Sequence, residues 1–168
     1  AIDPSETLEF MNSYDLWGHT RNREYPAAKI LKNGDRYQVI RNQGRFSHKL
    51  VLEDYPFDEQ VIVIEFEDST KESNLLRYVT DDTSVVLNPE LKLPGFRIGK
   101  PRVKIIDFSY GTAFGEDGPF GNSRYSRVRV EIPIKRPMLT YGLKLMLPIL
   151  CVIFCAALMF LFHPKYVD

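Results

Sequence analysis

The pattern of apolar and polar positions divides the chain into two parts of different character. Over most of its length, short β-branched and aromatic runs alternate with turn residues, and no long stretch has helical periodicity. These runs predict strands at residues 36–42, 45–52, 60–66, 83–87, 102–110 and 125–134. In the last run apolar residues alternate with Arg127, Arg129 and Glu131, which predicts one apolar face and one face in water. Strands at this spacing are typical of an antiparallel sandwich.

Residues 145–162 form a continuous apolar run, 18 residues long, without a charged or amide side chain. The run extends back to Tyr141 if the Lys144 ammonium group reaches toward the lipid headgroups. A helix over 141–162 covers the roughly 30 Å hydrocarbon core at about 1.5 Å per residue, and Pro148 predicts a kink in it. We therefore expect a transmembrane helix, with a buried core helix of a soluble protein as the alternative.

Composition narrows the class of protein further. Basic and acidic residues number 22 each, so the chain has no net charge to attract nucleic acid, and 44% hydrophobic residues exclude a disordered chain. The only cysteines, Cys151 and Cys155, lie in the apolar run, so the polar part has no disulfide and no Cys metal site. The histidines are far apart, and no HExxH, GxSxG or P-loop pattern occurs. We expect no enzyme, no metal and no cofactor.

Four stretches occur in an order and spacing that are typical of a known receptor family. They are 6–12 (ETLEFMN), 42–46 (NQGRF), 52–60 (LEDYPFDEQ) and 132–148 (IPIKRPMLTYGLKLMLP). Together they resemble the pentameric ligand-gated ion channels, also called the Cys-loop receptor superfamily. The third resembles the family's signature loop, whose two cysteines would fall on His48 and Ile62. The absence of those cysteines resembles the prokaryotic members and implies a bacterial protein.

The resemblance implies a fold and a division into two parts. Residues 1–136 would be an all-β extracellular ligand-binding domain, an antiparallel immunoglobulin-like β-sandwich incomplete at its N-terminus. Residues 137–168 would be the pre-membrane segment and the first transmembrane α-helix, without the pore-lining helix. The implied protein is a fragment of a channel subunit that forms a homopentamer and binds a small-molecule or ion agonist between subunits.

The resemblance also implies a location in the lipid bilayer of the bacterial inner membrane, with the sandwich outside the cytoplasm. The excess of basic residues before the apolar run would instead favour a cytoplasmic N-terminal side. A different functional class is compatible with the same pattern. It is a single-pass, membrane-anchored β-sandwich that acts as an extracytoplasmic sensor or adhesion module.

The expected gating residues lie in the signature loop and directly before the membrane run. They are Tyr55, Pro56, Phe57, Asp58 and Arg136. The Tyr55–Pro56 bond is a candidate cis peptide, because X–Pro bonds lose most of the trans preference. By resemblance, Asp58 and Arg136 should pair and connect the two domains, although a solvated acid and a separate base are the alternative.

The expected ligand site lies at the hairpin of residues 111–124. Its candidate residues are Phe114, Phe120, Tyr125, Glu116 and Trp17, with Asp117 as a further acid. Aromatic rings beside a carboxylate suit a cationic amine, although packing residues of a loop or of the core would have the same composition. Ser69 occupies a position where the family often has an aromatic, so the aromatic box is incomplete.

Overall fold

The computed structural model describes residues 4–15, 18–81, 85–112, 114 and 123–161. Strands predominate, and one long helix ends the described part of the chain. In chain order the elements are α1 (Pro4–Thr7), β1 (Leu8–Phe10), β2 (Thr20–Arg23), β3 (Lys29–Ile30), β4 (Arg36–Tyr37), β5 (Ile40–Gln43), β6 (Glu59–Asp68), β7 (Arg97–Ile98), β8 (Arg102–Ser109), β9 (Arg124–Lys135) and α2 (Met138–Leu161). This content agrees with the expected all-β part followed by a helix.

The main sheet is curled, antiparallel and five-stranded. Its order is β1–β6–β9, and both β7 and β8 pair with β9. The longest ladder joins β6 to β9 from Glu59 opposite Lys135 to Glu67 opposite Arg127. The side chain of Asn12 continues the β1 ladder, because its amide donates to the Val63 carbonyl at 2.6 Å and accepts from the Glu65 amide at 3.1 Å. β6 and β9 are therefore the axis of the sheet.

The ladder confirms the predicted alternation on β9. Val128 lies opposite Phe66 and Val130 opposite Ile64, so these residues share one apolar face. The alternation also predicts that the other face lies in water. This face does carry charged side chains, but some of them are buried. Arg127 is only 6% exposed and its partner Glu67 only 4%. The reason is that aromatic side chains cover them, with the Arg127 guanidinium carbon 3.7 Å from the centre of the Phe108 ring.

Aromatic rings pack on the apolar face at the β1 end of the sheet. The rings of Phe10, His19, Phe46 and Phe66 have centroids 5.2 to 5.9 Å apart in four pairs. Two smaller antiparallel sheets, β2–β5 and β3–β4, account for the remaining strands of the described residues. In the turn before β4, Gly34 has a φ of 87°, a backbone conformation that favours glycine.

Several predicted strands differ from the structure. The run at 36–42 is divided between β4 and β5. Residues 45–52 form no strand and make only an isolated bridge between Ser13 and Phe46. Alternation favours a strand there, but a strand also needs a neighbour for its backbone groups. The backbone of Val51 pairs with the side chain of Gln60 instead. Residues 85–87 form no strand, and the rest of the predicted run at 83–87 lies outside the described residues.

Helix α2 confirms the predicted apolar helix and begins at Met138 rather than Tyr141. None of its residues is buried against the described part of the chain, whereas a core helix would be mostly buried. Its 24 residues span about 36 Å, more than the hydrocarbon thickness of a bilayer. Pro148 lies inside it, and Cys151 and Cys155 are free and exposed on its surface. Among the described residues, α2 is the one helix long and apolar enough to cross a membrane.

Candidate coupling site and ligand cleft

Asp58 and Arg136 form the expected ion pair. Asp58 directly precedes β6 and Arg136 directly follows β9, so the β6–β9 register brings them together at the end of the ladder nearest α2. The Arg136 Nε donates to Asp58 Oδ1 at 2.6 Å. The Asp58 side chain is 2% exposed and that of Arg136 is 13% exposed. The pair therefore connects the loop before β6 with the residues that lead into α2.

Three aromatic rings surround the Arg136 guanidinium group. Its carbon lies 4.4 Å from the ring centre of Phe96, 5.0 Å from that of Tyr55 and 5.5 Å from that of Tyr141. Rings within about 6 Å of a guanidinium attract it through cation–π interactions. Tyr55 was predicted from the sequence. Phe96 was missed because nothing in its surroundings marks it, and Tyr141 was noticed only as the start of the apolar run.

Hydrogen bonds keep both members of the pair charged. The amide of Gln60 donates to Asp58 Oδ2 at 2.7 Å. This bond, followed by that of Arg136, lowers the pKa of Asp58 below its ordinary value in spite of burial. Burial opposes the charge of Arg136, but hydrogen bonds to Asp58 and Tyr141 raise its pKa. The pair is therefore fully ionised at neutral pH.

The loop of residues 52–57 contacts the first turns of α2. Its Tyr55–Pro56 bond is cis, as the sequence suggested. Tyr55 and Pro56 line one side of a groove of about 420 Å³, and Tyr141, Lys144 and Leu145 line the other. Phe57 lies over Gly142, since a β-carbon at Gly142 would come 3.9 Å from the Phe57 ring. All the predicted gating residues thus lie at the junction between the sheet and the helix.

A second loop contacts the same helix end. The Phe96 amide donates to the Leu93 carbonyl at 3.0 Å and closes a turn in which Gly95 has a φ of 84°. A β-carbon at Gly95 would lie 2.7 Å from the hydroxyl oxygen of Tyr141, so a larger residue here would strain the backbone and displace that hydroxyl group. The turn brings Gly95 close to Tyr141 of α2 and Phe96 against Arg136, two residues before the helix.

At the opposite end of β6, aromatic residues line a cleft of about 570 Å³. The rings of Tyr110, Phe114 and Tyr125 lie 5.1 to 6.5 Å apart, centre to centre. The predicted residues Phe114 and Tyr125 thus come together, while Trp17, Glu116, Asp117 and Phe120 lie outside the described residues. The other lining residues are Glu9, Met11, Glu67, Ser69 and Thr70.

A buried charge network forms the floor of this cleft. The Tyr110 hydroxyl donates to Glu67 and accepts from Arg127 Nη2 at 2.7 Å. Arg127 Nε pairs with Glu67 Oε2 at 2.9 Å, so the charge of Glu67 is already neutralised. Glu9 is exposed at the rim, and Ser69 also lines the cleft. Aromatic faces beside the Glu9 carboxylate suit a cationic ligand.

Sequence reasoning missed Tyr110 and Glu67 as parts of this site. The alternation of β9 placed Arg127 on the charged face, and a buried partner for it could have been sought among the acids of β6.

No group of three or more metal-ligating side chains occurs within the described part of the chain.

Tyr110 should titrate late in the folded protein. Burial and the hydrogen bond to Glu67 raise its pKa from 10.0 to about 12. Because the pKa of Tyr110 is higher in the folded protein, the protonated hydroxyl group stabilises the fold below pH 10. This stabilisation is lost as the pH rises toward 12. Burial also raises the pKa of Tyr78 to about 12. An ultraviolet titration should therefore lose one late-titrating group in Tyr110→Phe and another in Tyr78→Phe. An unchanged late amplitude in Tyr110→Phe would contradict the network.

Comparison with models of known protein families and with curated proteins finds no match to the chain.

Proposed function

We propose that the chain is part of a subunit of a neurotransmitter-receptor-like ligand-gated ion channel. The observation that carries the proposal is the Asp58–Arg136 pair in its aromatic cage. It connects a loop of the sheet domain to the start of an apolar helix. A link at this position can make the orientation of the helix depend on that of the sheet, which is the physical requirement for gating at a distance.

The β6–β9 ladder supports a path between the two sites. Its paired residues run from Glu67 at the cleft to Glu59 beside Asp58, and at about 3.4 Å per residue this distance is roughly 27 Å. The two strands are continuous and paired over this length, so they would move together. A displacement at the cleft would therefore reach the opposite end of the strands. Ligand binding at one end would thereby alter the cage around Arg136 at the other.

The cleft would suit a small cationic agonist, such as an amine. Tyr110, Phe114 and Tyr125 would present ring faces and Glu9 a carboxylate. We infer that the agonist binds between subunits of a homopentamer, and that the main sheet is one layer of an immunoglobulin-like sandwich outside the cytoplasm of a bacterium. Helix α2 would be the first membrane span. The ion pathway would be formed by a further helix of the intact subunit.

Reading the coding sequence beyond Asp168 and recording currents from the intact subunit test the proposal. We expect three further apolar segments, the first carrying small and hydroxylated residues to line a pore. We also expect currents evoked by an amine. Phe114→Ala and Tyr125→Ala should weaken these currents, whereas the control Tyr37→Ala in strand β4 should leave them unchanged. A stop codon or a signalling domain in place of these segments would refute the channel and favour a membrane-anchored sensor.

A further inference from the structure

Gln60 is a buried polar residue in an apolar part of the sheet. It is 5% exposed, and it pairs across the β6–β9 ladder with Ile134, which is 3% exposed. The next two residues on the same face of β6 are Ile62 and Ile64. An amide in such surroundings is costly unless its donors and acceptor are all bonded. Its presence there therefore needs a local reason.

The side-chain amide of Gln60 forms hydrogen bonds to residues on both sides of the loop of residues 52–57. Its Oε1 accepts from the Val51 backbone amide at 3.1 Å, and its Nε2 donates to the Val51 carbonyl. The same Nε2 donates to Asp58 Oδ2 at 2.7 Å. The side chain thus bonds the backbone of Val51 in the way a neighbouring strand would. At the same time it holds one oxygen of Asp58. The other oxygen of Asp58 is the one that receives Arg136.

The geometry points to Gln60 as a positioning residue, which closes the base of the loop and orients the Asp58 carboxylate toward Arg136. The carboxylate has one oxygen for each partner, so fixing Oδ2 on the amide leaves Oδ1 directed at the guanidinium group. The loop of residues 52–57 is held at Val51 and Asp58 by this one side chain. Its relevance for gating rests on the proposed function, whereas the orientation of Asp58 does not.

The test compares two matched replacements in the full 168-residue chain held in lipid nanodiscs. Gln60→Met keeps the length of the side chain and removes its hydrogen bonds. Gln38→Met is the control, because the Gln38 amide also bonds backbone groups, donating to the Tyr25 carbonyl at 2.9 Å and accepting from the Val39 amide at 3.1 Å. The readout is the carboxyl-carbon NMR titration of Asp58, with Gln60→Asn as a milder variant if Gln60→Met does not fold.

We expect the pKa of Asp58 to move upward in Gln60→Met and Gln60→Asn and to stay in place in Gln38→Met. We also expect the Asp58 carboxyl resonance of Gln60→Met to respond less to Arg136→Gln than that of the unchanged chain, because the pair is no longer aligned. An Asp58 titration that is the same in the Gln60 variants and the control would overturn the inference. So would an equal response to Arg136→Gln in both backgrounds.

Currents from the intact subunit separate this inference from the proposed function. If Gln60→Met shifts the Asp58 titration and also shifts the agonist response, both stand. If the titration shifts while the agonist response is unchanged, the positioning role stands and the coupling role of the pair fails. If the agonist response shifts without any change in the titration, Gln60 does not act through Asp58 and the inference fails.

Discussion

If the chain belongs to a ligand-gated channel as proposed, Asp58→Ala and Arg136→Ala should each raise the agonist concentration needed for half-maximal current by roughly tenfold or more, within the usual range of coupling between sites. Each replacement leaves the other charge buried at the junction without its partner. The double variant should be no worse than the more severe single variant, because the two side chains act as one unit. Dose–response curves of the intact subunit measure all three.

The neighbouring pair Glu59–Lys135 provides a matched control. It lies one residue further into the β6–β9 ladder than Asp58 and Arg136, but its side chains are 65% and 49% exposed. Exposed pairs contribute little, so Glu59→Ala and Lys135→Ala should change the response by less than about twofold. Equal effects at the two pairs, or additive effects of Asp58→Ala and Arg136→Ala, would contradict a coupling role for the buried pair.

Breaking the buried pair beneath the cleft is expected to have the largest effect on stability. Glu67→Leu leaves the Arg127 guanidinium without its nearest carboxylate in a site where only 6% of Arg127 is exposed. Removal of one member of a buried pair typically costs about 3 to 5 kcal/mol, and the lower end of this range applies here because Arg127 Nη1 keeps Glu65 Oε2 at 3.5 Å. Chemical denaturation of the chain in detergent micelles should show a decrease of that order in the free energy of unfolding.

The comparison for this prediction lies on the same face of the sheet. Lys104 and Glu131 pair at 2.8 Å, with the Lys104 side chain 55% exposed, so Lys104→Met should cost less than about 1 kcal/mol. Replacing both buried partners, with Glu67→Leu and Arg127→Met together, should recover much of the lost stability, because no unpaired charge remains. A double variant as unstable as Glu67→Leu alone would show that packing, rather than charge, sets the cost.

The long elements were predictable from the sequence because each carries its own pattern. Strand β9 alternates from Arg127 onward, and α2 has no charged side chain after Lys144. The short strands β3 and β7 have two residues each, too few for any periodicity, and depend on their partners. Residues 45–52 show the opposite error. They alternate, but in the fold no adjacent strand supplies the backbone bonds, and a glutamine side chain takes that place at Val51.

The candidate sites were predictable only where a local motif marked them. The loop at Tyr55–Asp58 and the Arg136–Pro137 step have a distinctive sequence, and the structure brings Asp58 and Arg136 together. Phe96 and Tyr110 had no such motif. They reach Arg136 and Glu67 through the pairing of β7 and β8 with β9, and pairing between distant strands is not encoded in any short segment.

Pro148 divides α2 into two unequal parts. Proline has no backbone N–H, so the carbonyl of Lys144, one turn earlier, receives no helical hydrogen bond. The ten residues before Pro148 carry Tyr141 and Gly142, which the loops of the sheet domain contact, whereas the residues after it have only apolar side chains. We expect the first part to move with the sheet domain and the second part to keep its tilt in the lipid. The helix would then bend at Pro148, where the hydrogen bond is missing.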